Sequence, residues 1–304
     1  MRQPKNIEDE FAGDFIAMNI AELHMLPVEG VFDELHLRRI HERIFRGFTE
    51  MYIDVPDTNN SGQVVKELVP FNPGEYRRPL EGFQDYYCKD RPIVTQGCFS
   101  VVSYARLDES AMQMLSETLA RANPETLKKL DAYAFADEIS CIYVRLDYIH
   151  PFPEGNSRTL REFTRELAFA SGYVLDWNIY DRNQASRDAL YVARDVGVNR
   201  IAVARGTCHP DDLKDVKATL ARFWNYKRLS ELLRNAIRPL NGNLRQQKVS
   251  FGLLPAPFLQ MFLQEREMAK GGNLAELPKD VRLALTEIAR KAPSFRCGMD
   301  SAAT

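Results

Sequence analysis

The sequence predicts an all-α protein, a helical bundle with a small β-hairpin and a helical C-terminal appendage. Apolar residues recur at helical spacing through most of the 304 residues. Proline, glycine and asparagine stand between these periodic segments, where helix ends are expected. One β-favouring run, CFSVVSY at residues 98–104, follows Gly97 and predicts a short strand or hairpin.

The first predicted helix covers about residues 33–51, with Asp33 as its N-terminal cap and a single apolar stripe. Residues 52–106 differ, because they contain five prolines and four glycines. We interpret them as a long irregular region that ends in the hairpin. Loops of this length in compact domains are usually functional.

Helical periodicity returns at Asp108 and continues to the end of the chain. The segment 125–149 carries its apolar residues on one broad face, which favours a position at the centre of the bundle. We predict a main domain over residues 1–205 with an N-terminal helix, and a helical extension over residues 206–304. The remaining helices are predicted at about residues 108–121, 156–170, 183–196, 211–236, 257–269 and 278–291.

Composition excludes several classes of protein. The formal net charge of -2 gives no general attraction to nucleic acid or anionic membranes, and no apolar run approaches the ~20 residues of a membrane helix. The five scattered cysteines include no Cys-x-x-Cys pair, so we expect free thiols in a reducing compartment. We therefore expect a cytoplasmic protein, or one that a dedicated system secretes into another cell.

The candidate chemistry lies in one segment, HPFPEGNSRTLR, which begins at His150 and joins two predicted helices. His150 can take up a proton near neutral pH, and Glu154 can hold Mg²⁺. Gly155 lets the backbone approach a ligand at the N-terminus of a helix, where free N–H groups bind anions. Arg158 and Arg161 share one helix face and can bind phosphate oxygens. Together these residues suit attack of a hydroxyl on a nucleotide phosphate.

Each residue also has an ordinary structural interpretation. A histidine after an apolar helix is usually a packing residue, arginines at this spacing usually face solvent, and Glu before Gly usually marks a turn. Twelve residues that combine all of these features are much less easily explained by coincidence.

The segment resembles the Fic-family signature, H-P-F-x-[D/E]-G-N-G-R-x-x-R, and departs from it at Ser157, where the family most often has glycine. Residues 32–41, FDELHLRRIH, are similar to the early helix of that family. Residues 73–77, PGEYR, resemble the segment that follows this helix. The resemblance covers about residues 14–205 and implies a Fic-type helical bundle.

The resemblance implies a protein adenylyltransferase that moves AMP from ATP, with Mg²⁺, to a hydroxyl of a target protein. His150 would be the general base, Phe152 would anchor the loop, and Glu154 would bind the metal. Gly155, Asn156 and Ser157 would form the anion hole, while Arg158 and Arg161 would hold the other phosphates. Asn183 is the best candidate for a contact with the nucleotide base, and residues 95–104 are the candidate for the flap that aligns the target.

Alternatives remain open at this point. The fold could transfer another phosphate-containing group, remove AMP, or serve as a weakly catalytic adaptor. The hairpin could equally be an ordinary edge strand. Ser157 suits a helix N-terminus, but it would restrict the backbone if that position required positive φ.

Many Fic proteins carry an inhibitory [S/T]-x-x-x-E-[G/N] helix whose glutamate pairs with the second signature arginine. Glutamate precedes Gly or Asn three times in this sequence, and none of these glutamates has Ser or Thr four residues earlier. We therefore predict that a small separate antitoxin-like protein restrains the enzyme. The alternatives are low expression, export from the cell, or a degenerate internal helix around residues 21–30, although Pro27 would break such a helix.

Overall fold

The computed structural model describes residues 5–8, 12–56, 64–78 and 87–240. These residues fall into two compact units. The first contains the described residues up to 27 and those of the range 43–73, and the second contains residues 28–42, 74–78 and 87–240. Across the described residues no helix is both long and apolar enough to cross a bilayer.

The first unit combines a helix with a hairpin. Helix α1 spans Ala12–Met25, and strand β1 (Glu50–Pro56) pairs antiparallel with β2 (Val64–Pro70). The prediction of one helix over residues 33–51 is wrong at its end. Helix α2 spans Glu34–Ile44, and Gly47 then takes a φ of 93°, which an L-residue rarely adopts. The chain turns there and enters β1.

The second unit is mostly helical, which confirms the predicted fold class. Its helices after α2 are α3 (Glu109–Arg121), α4 (Pro124–Leu127), α5 (Ala132–Ile149), α6 (Asn156–Ala170), α7 (Gln184–Arg205), α8 (Leu213–Arg222) and α9 (Leu229–Ala236). Helix α5 packs against α3, α6, α7 and α9 and is therefore the centre of the bundle. Its predicted apolar face is fully buried: Phe135, Ile139, Ile142, Leu146 and Ile149.

Two antiparallel strand pairs complete the second unit. Strand β3 (Tyr87–Ile93) pairs with β4 (Cys98–Tyr104) through a 3-10 turn at Val94–Gln96, and this confirms the predicted hairpin. Strand β5 (Tyr173–Leu175) pairs with β6 (Ile237–Pro239). The described parts of the region 52–106 are therefore less irregular than predicted, and their prolines lie at or next to strand ends or in a connection.

Three predicted helices have different bounds in the structure. The segment 125–149 divides into α4 and α5, because Asp131 caps a new helix by accepting from the N–H groups of Tyr133 and Ala134. The segment 183–196 continues to Arg205 through Gly197. A Cβ at Gly197 would lie 3.0 Å from Val144, so this glycine permits close packing of α7 on α5.

The segment 211–236 divides into α8 and α9, and both pack with the rest of the second unit. The predicted boundary at residue 205 stays a prediction, and the helices predicted at 257–269 and 278–291 lie outside the described residues. Four of the five cysteines are described, and all are free thiols, as predicted: Cys88, Cys98, Cys141 and Cys208.

Candidate active site

The signature loop connects the end of α5 to the start of α6 and is held by two left-handed backbone positions. His150 caps α5 with φ 49° and ψ 57°, and Gly155 caps the start of α6 with φ 78°. Among the described residues, His150 is the one non-glycine residue with positive φ. Pro151 disfavours the helical conformation at the residue before it, so α5 ends at this point. Such strain in a non-glycine residue often marks a functional site.

Asn156 and Phe152 close the loop internally. The Asn156 side chain accepts from the N–H of Phe152 at 2.9 Å and donates to its carbonyl oxygen at 2.7 Å. The Phe152 ring is fully buried and stacks on the ring of His41, with centroids 3.9 Å apart. Phe152 therefore lies where an anchor of the loop is required, and the Asn156 side chain supports the loop backbone.

His41 supports the loop from α2. The N–H of Gly74 donates to Nδ1 of His41 at 2.8 Å, so Nδ1 is the unprotonated nitrogen and Nε2–H donates to the carbonyl oxygen of Glu154 at 3.0 Å. Burial lowers the pKa of His41 to about 4, although the hydrogen bond to Glu154 opposes the shift. His41 is therefore a neutral structural residue at neutral pH.

Arg77 supports the same loop from the other side. Its Nε donates to the carbonyl oxygen of His150 at 2.8 Å, and its backbone N–H donates to that of Pro151 at 2.8 Å. The guanidinium also donates to the carbonyl oxygen of Ala105 at 2.5 Å. Sequence reasoning noted Arg77 only within the PGEYR segment and missed this supporting role.

The His150 imidazole lies in a largely enclosed site beside the β3–β4 hairpin. Its ring centroid is 3.9 Å from that of Tyr104 and 5.2 Å from that of Tyr87. Its Nδ1 lies 3.9 Å from Oδ1 of Asp147, which is too long for a hydrogen bond. Burial lowers the pKa of His150, and the Asp147 carboxylate opposes part of that shift. A neutral imidazole that can accept a proton is the result.

The anion site predicted at the start of α6 stays a prediction, and the structure gives the geometry of its residues. Gly155 is the cap, and Asn156 and Ser157 are the first two helical residues, whose N–H groups have no acceptor within a helix. Ser157 has no positive φ, so serine at this position introduces no backbone strain. The N–H of Gly155 donates to Oε1 of Glu154 at 2.8 Å. An anion that uses this N–H must therefore displace the carboxylate.

Both signature arginines are paired with acids. Nη2 of Arg158 lies 3.1 Å from Oε1 of Glu154, one turn before it. Nη1 of Arg161 lies 3.1 Å from Oδ2 of Asp181, and its guanidinium carbon is 5.8 Å from the centroid of the Trp177 ring. Phosphate binding by these arginines requires exchange of the two acids for phosphate oxygens.

The structure gives fewer contacts that bear on the predicted metal ligand, Glu154, and on the predicted base contact, Asn183. The described residues include no cluster of three or more His, Cys, Asp or Glu side chains suited to a metal. Glu154, half-exposed at the loop, fits Mg²⁺ in the mode that uses one or two carboxylates and otherwise substrate phosphates. Asn183 caps α7 by accepting from the N–H of Ser186 at 2.9 Å. Its contact with a nucleotide base stays a prediction.

A buried charge network lies behind the loop, and sequence reasoning missed it. Nε and Nη2 of Arg194 donate to the two carboxylate oxygens of Asp147 at 3.0 and 3.1 Å. Nη1 of Arg194 donates to Oγ of Ser157 at 3.0 Å. Burial alone would raise the pKa of Asp147, but the Arg194 guanidinium holds that pKa well below its usual range. The available signal was a charged residue in register with the buried face of each helix, since Asp147 follows Tyr143 by four residues and Arg194 follows Leu190 by four residues.

Comparison with known proteins matches this loop and its surroundings to one family. Residues 31–168 match the sequence model of the Fic/DOC family. Over 169 residues the chain is 37% identical to the protein adenylyltransferase VbhT of Bartonella schoenbuchensis, a match that covers 56% of this chain and 28% of that protein. A protein adenylyltransferase of Bartonella henselae is 33% identical over 85 residues, which cover 28% of this chain and 15% of that protein. The chain therefore spans less than a third of these curated relatives.

Solved structures give weaker matches. The BepC protein of Bartonella tribocorum, with bound AMPPNP, has a TM-score of 0.42 at 17% identity and covers 75% of this chain and 85% of that one. The N-terminal FIC domain of Bep8 from Bartonella sp. 1-1C has a TM-score of 0.38 at 18% identity, with 73% and 90% covered.

Proposed function

We propose that this chain, whose residues 31–168 are a domain of the Fic/DOC family, is a protein adenylyltransferase that transfers AMP from ATP to a Ser, Thr or Tyr hydroxyl of a target protein. One observation carries the proposal: a neutral, enclosed imidazole stands one short loop away from a helix N-terminus that offers free N–H groups and two arginines. The adenylyltransferase names of the two Bartonella relatives support the same reaction.

The loop supplies each step of such a transfer. Because Nδ1 of His150 faces Asp147, Nε2 is the nitrogen that accepts the proton of the target hydroxyl. The oxygen then attacks the α-phosphorus, the bond to the β-phosphate oxygen breaks, and pyrophosphate leaves. The N–H groups of Asn156 and Ser157 meet the charge on the transferred phosphate.

The outer phosphates are assigned to the two arginines, with Arg161 on the terminal phosphate. Glu154 would hold Mg²⁺, which neutralises phosphate charge when it is bound. With Glu154 engaged by the cation, Arg158 would lose its ion pair, and its guanidinium would be available to a phosphate. Phosphate binding by Arg161 similarly replaces its contact with Asp181.

We assign target alignment to the β3–β4 hairpin. Tyr87 and Tyr104, one from each strand, both flank the His150 ring. Phe99 and Val94, near the turn, are each 62% exposed and available to a bound chain. A target segment that adds to a hairpin edge places its hydroxyl near His150 by backbone pairing, without a long recognition sequence.

Labelled nucleotides test the reaction. We expect the purified protein, incubated with a cell lysate and Mg²⁺, to transfer label from α-labelled ATP and none from γ-labelled ATP to protein. Transfer of the γ-label instead would identify a phosphotransferase. His150→Ala is the matched control, and label release from a pre-modified substrate would identify removal of AMP. Absence of both activities in the intact chain would favour the adaptor function.

Restraint of the enzyme is a second part of the proposal. The sequence has no strict inhibitory motif, so we assign this role to a separate small protein whose Ser/Thr-x-x-x-Glu helix places a glutamate on Arg161. Such a glutamate replaces Asp181, whose half-exposed pair with Arg161 is weakly held. Co-expression with a small protein that carries such a helix should suppress transfer. Activation by removal of residues 1–31 alone would show an internal brake instead.

A further inference from the structure

Arg194 forms hydrogen bonds to Asp147 near the end of α5 and to Ser157 at the start of α6, the two helix ends that flank the signature loop. Its pair with Asp147 is bidentate, and both side chains are only 2% exposed. Asp147 lies on the last turn of α5, three residues before His150. Ser157, the third partner, is the second residue of α6. One guanidinium therefore joins the helix end that carries the base to the helix start that binds phosphate.

As a purely structural feature, the buried pair of Asp147 and Arg194 is expected to add little to the stability of the fold. Burying two charges loses their hydration, and apolar residues of similar volume often stabilise a core as well or better. On α5 the pair lies among buried apolar residues such as Leu146 and Ile149, while on α7 the neighbouring Asp195 forms a second buried ion pair with Arg91. Retention of the pair therefore points to a role at the adjacent loop.

The contacts that fix the loop backbone leave the position of the His150 side chain to other residues. Hydrogen bonds from Asn156, His41 and Arg77 fix the backbone of the loop between α5 and α6. These contacts do not include the imidazole of His150. The nearest acidic group to its Nδ1 is Asp147, at 3.9 Å, and Arg194 holds that carboxylate through both of its oxygens.

We propose that Arg194 is a positioning residue, which sets the His150 imidazole relative to the anion-binding start of α6 through Asp147 and Ser157. The role in transfer rests on the proposed adenylyltransferase function. The electrostatic part, in which Arg194 limits the attraction of Asp147 for a proton on His150, holds for any reaction at this loop. Ser157 takes part because its hydroxyl accepts the third hydrogen bond of Arg194, which glycine cannot do.

The charged groups around His150 determine whether the loss of Arg194 or of Asp147 raises or lowers the pKa of His150. Asp147 faces it from its own helix, Tyr87 and Tyr104 from the hairpin, and Arg77 and Glu154 from the loop region. Without Arg194, the buried Asp147 would have His150 as its closest cationic partner, and His150 would hold a proton at higher pH. Without the Asp147 charge, His150 would hold a proton only at lower pH.

An NMR titration of His150 tests these expected changes in its protonation without any enzymatic assay. The His150 resonance of the full chain, assigned by its loss in His150→Gln, is titrated in the parent protein and in two variants. We expect a midpoint about one pH unit higher in Arg194→Met and about one unit lower in Asp147→Asn. Arg165→Met, which removes an arginine paired with Glu162 elsewhere on α6, is the control and should leave the midpoint unchanged. Equal midpoints in the parent protein, Arg194→Met and Asp147→Asn would overturn the proposal.

Each single variant leaves one charge buried and unpaired, so it could fail to fold. The double variant Asp147→Asn/Arg194→Met removes both charges and keeps the test available. Its midpoint should lie below that of the parent protein, since Asp147 is the nearer charge to His150. A midpoint at or above the parent value would contradict the proposal.

A kinetic test addresses positioning. Ser157→Ala removes the bond to Arg194, and Arg194→Lys removes the fork that bonds Asp147 and Ser157 at the same time. For each variant we expect AMP transfer to lose kcat on the order of ten-fold with little change in KM for ATP. A raised KM with unchanged kcat would instead identify Ser157 as a simple phosphate ligand and refute its positioning role. If the parent protein transfers no AMP, the proposed function fails, whereas the NMR result still decides the electrostatic role.

Discussion

Protonation of His41 should destabilise the second unit in mildly acidic solution. Burial lowers the pKa of His41 to about 4, whereas histidine in an unfolded chain titrates near 6.5. The unfolded state therefore binds more protons at all pH values between these limits, and stability falls as the pH falls. The contribution is fully present above about pH 6.5 and lost at about pH 4.

The size of this effect follows from the difference between the two pKa values. About 2.5 units correspond to roughly 3 kcal/mol of unfolding free energy, of which about 2 kcal/mol is lost between pH 7 and pH 5. The physical reason is that Nδ1 of His41 accepts from the N–H of Gly74, and a proton at Nδ1 removes that hydrogen bond. The charge would also be buried against the Phe152 ring.

Urea unfolding at pH 7.5 and pH 5.0 measures this loss, with fluorescence of the buried Trp177 reporting on the second unit. His41→Asn is the matched variant, since asparagine keeps one donor and one acceptor but does not titrate. The parent protein should lose about 2 kcal/mol more than the variant over this range, because all other groups are common to both. Equal losses in the two proteins would refute the assigned role of His41.

Three further predictions concern the loop. His150→Ala should lower AMP transfer by on the order of 10²–10⁴-fold, with unfolding free energy changed by at most ~1–2 kcal/mol, and transfer at the parent rate would remove His150 from the mechanism. Glu154→Ala should raise the Mg²⁺ concentration needed for half-maximal transfer, and parent activity in EDTA would contradict the metal assignment. Asp181→Asn should lower KM for ATP a few-fold because Arg161 no longer exchanges a carboxylate for phosphate, and an unchanged KM in a steady-state titration would count against that exchange.

The elements that sequence could predict are those specified by neighbours along the chain. Helix α3 begins at its predicted cap, where Asp108 accepts from the N–H of Ala111 at 2.9 Å. Helix α6 spans the predicted residues, and α5 buries the predicted apolar face. Each of these features depends on residues three or four positions apart, which periodicity and capping patterns detect directly.

The features that sequence reasoning missed depend on distant partners. The first two residues of strand β1 were predicted as the end of a helix and the rest as part of an irregular region, because pairing with β2, whose first residue is Val64, leaves no local signal. Gly197 looked like a helix end until its close approach to Val144 showed that packing requires it. The pair of Asp147 and Arg194 joins residues 47 positions apart, and a single sequence does not show which acid a buried arginine meets.

The charges of the site fall into two groups that differ in exposure, and this difference suits a nucleotide-binding loop. The pairs Arg158–Glu154 and Arg161–Asp181 each include a side chain more than a third exposed, so each contributes little and exchanges readily for phosphate or metal. Asp147 and Arg194 are almost fully buried, and separating them would leave an uncompensated charge in the core. Nucleotide binding should therefore rearrange the first group and leave the second unchanged. In the proposed reaction, the exchangeable pairs would keep the two arginines neutralised before ATP binds, while the buried pair would keep His150 in place beside the start of α6.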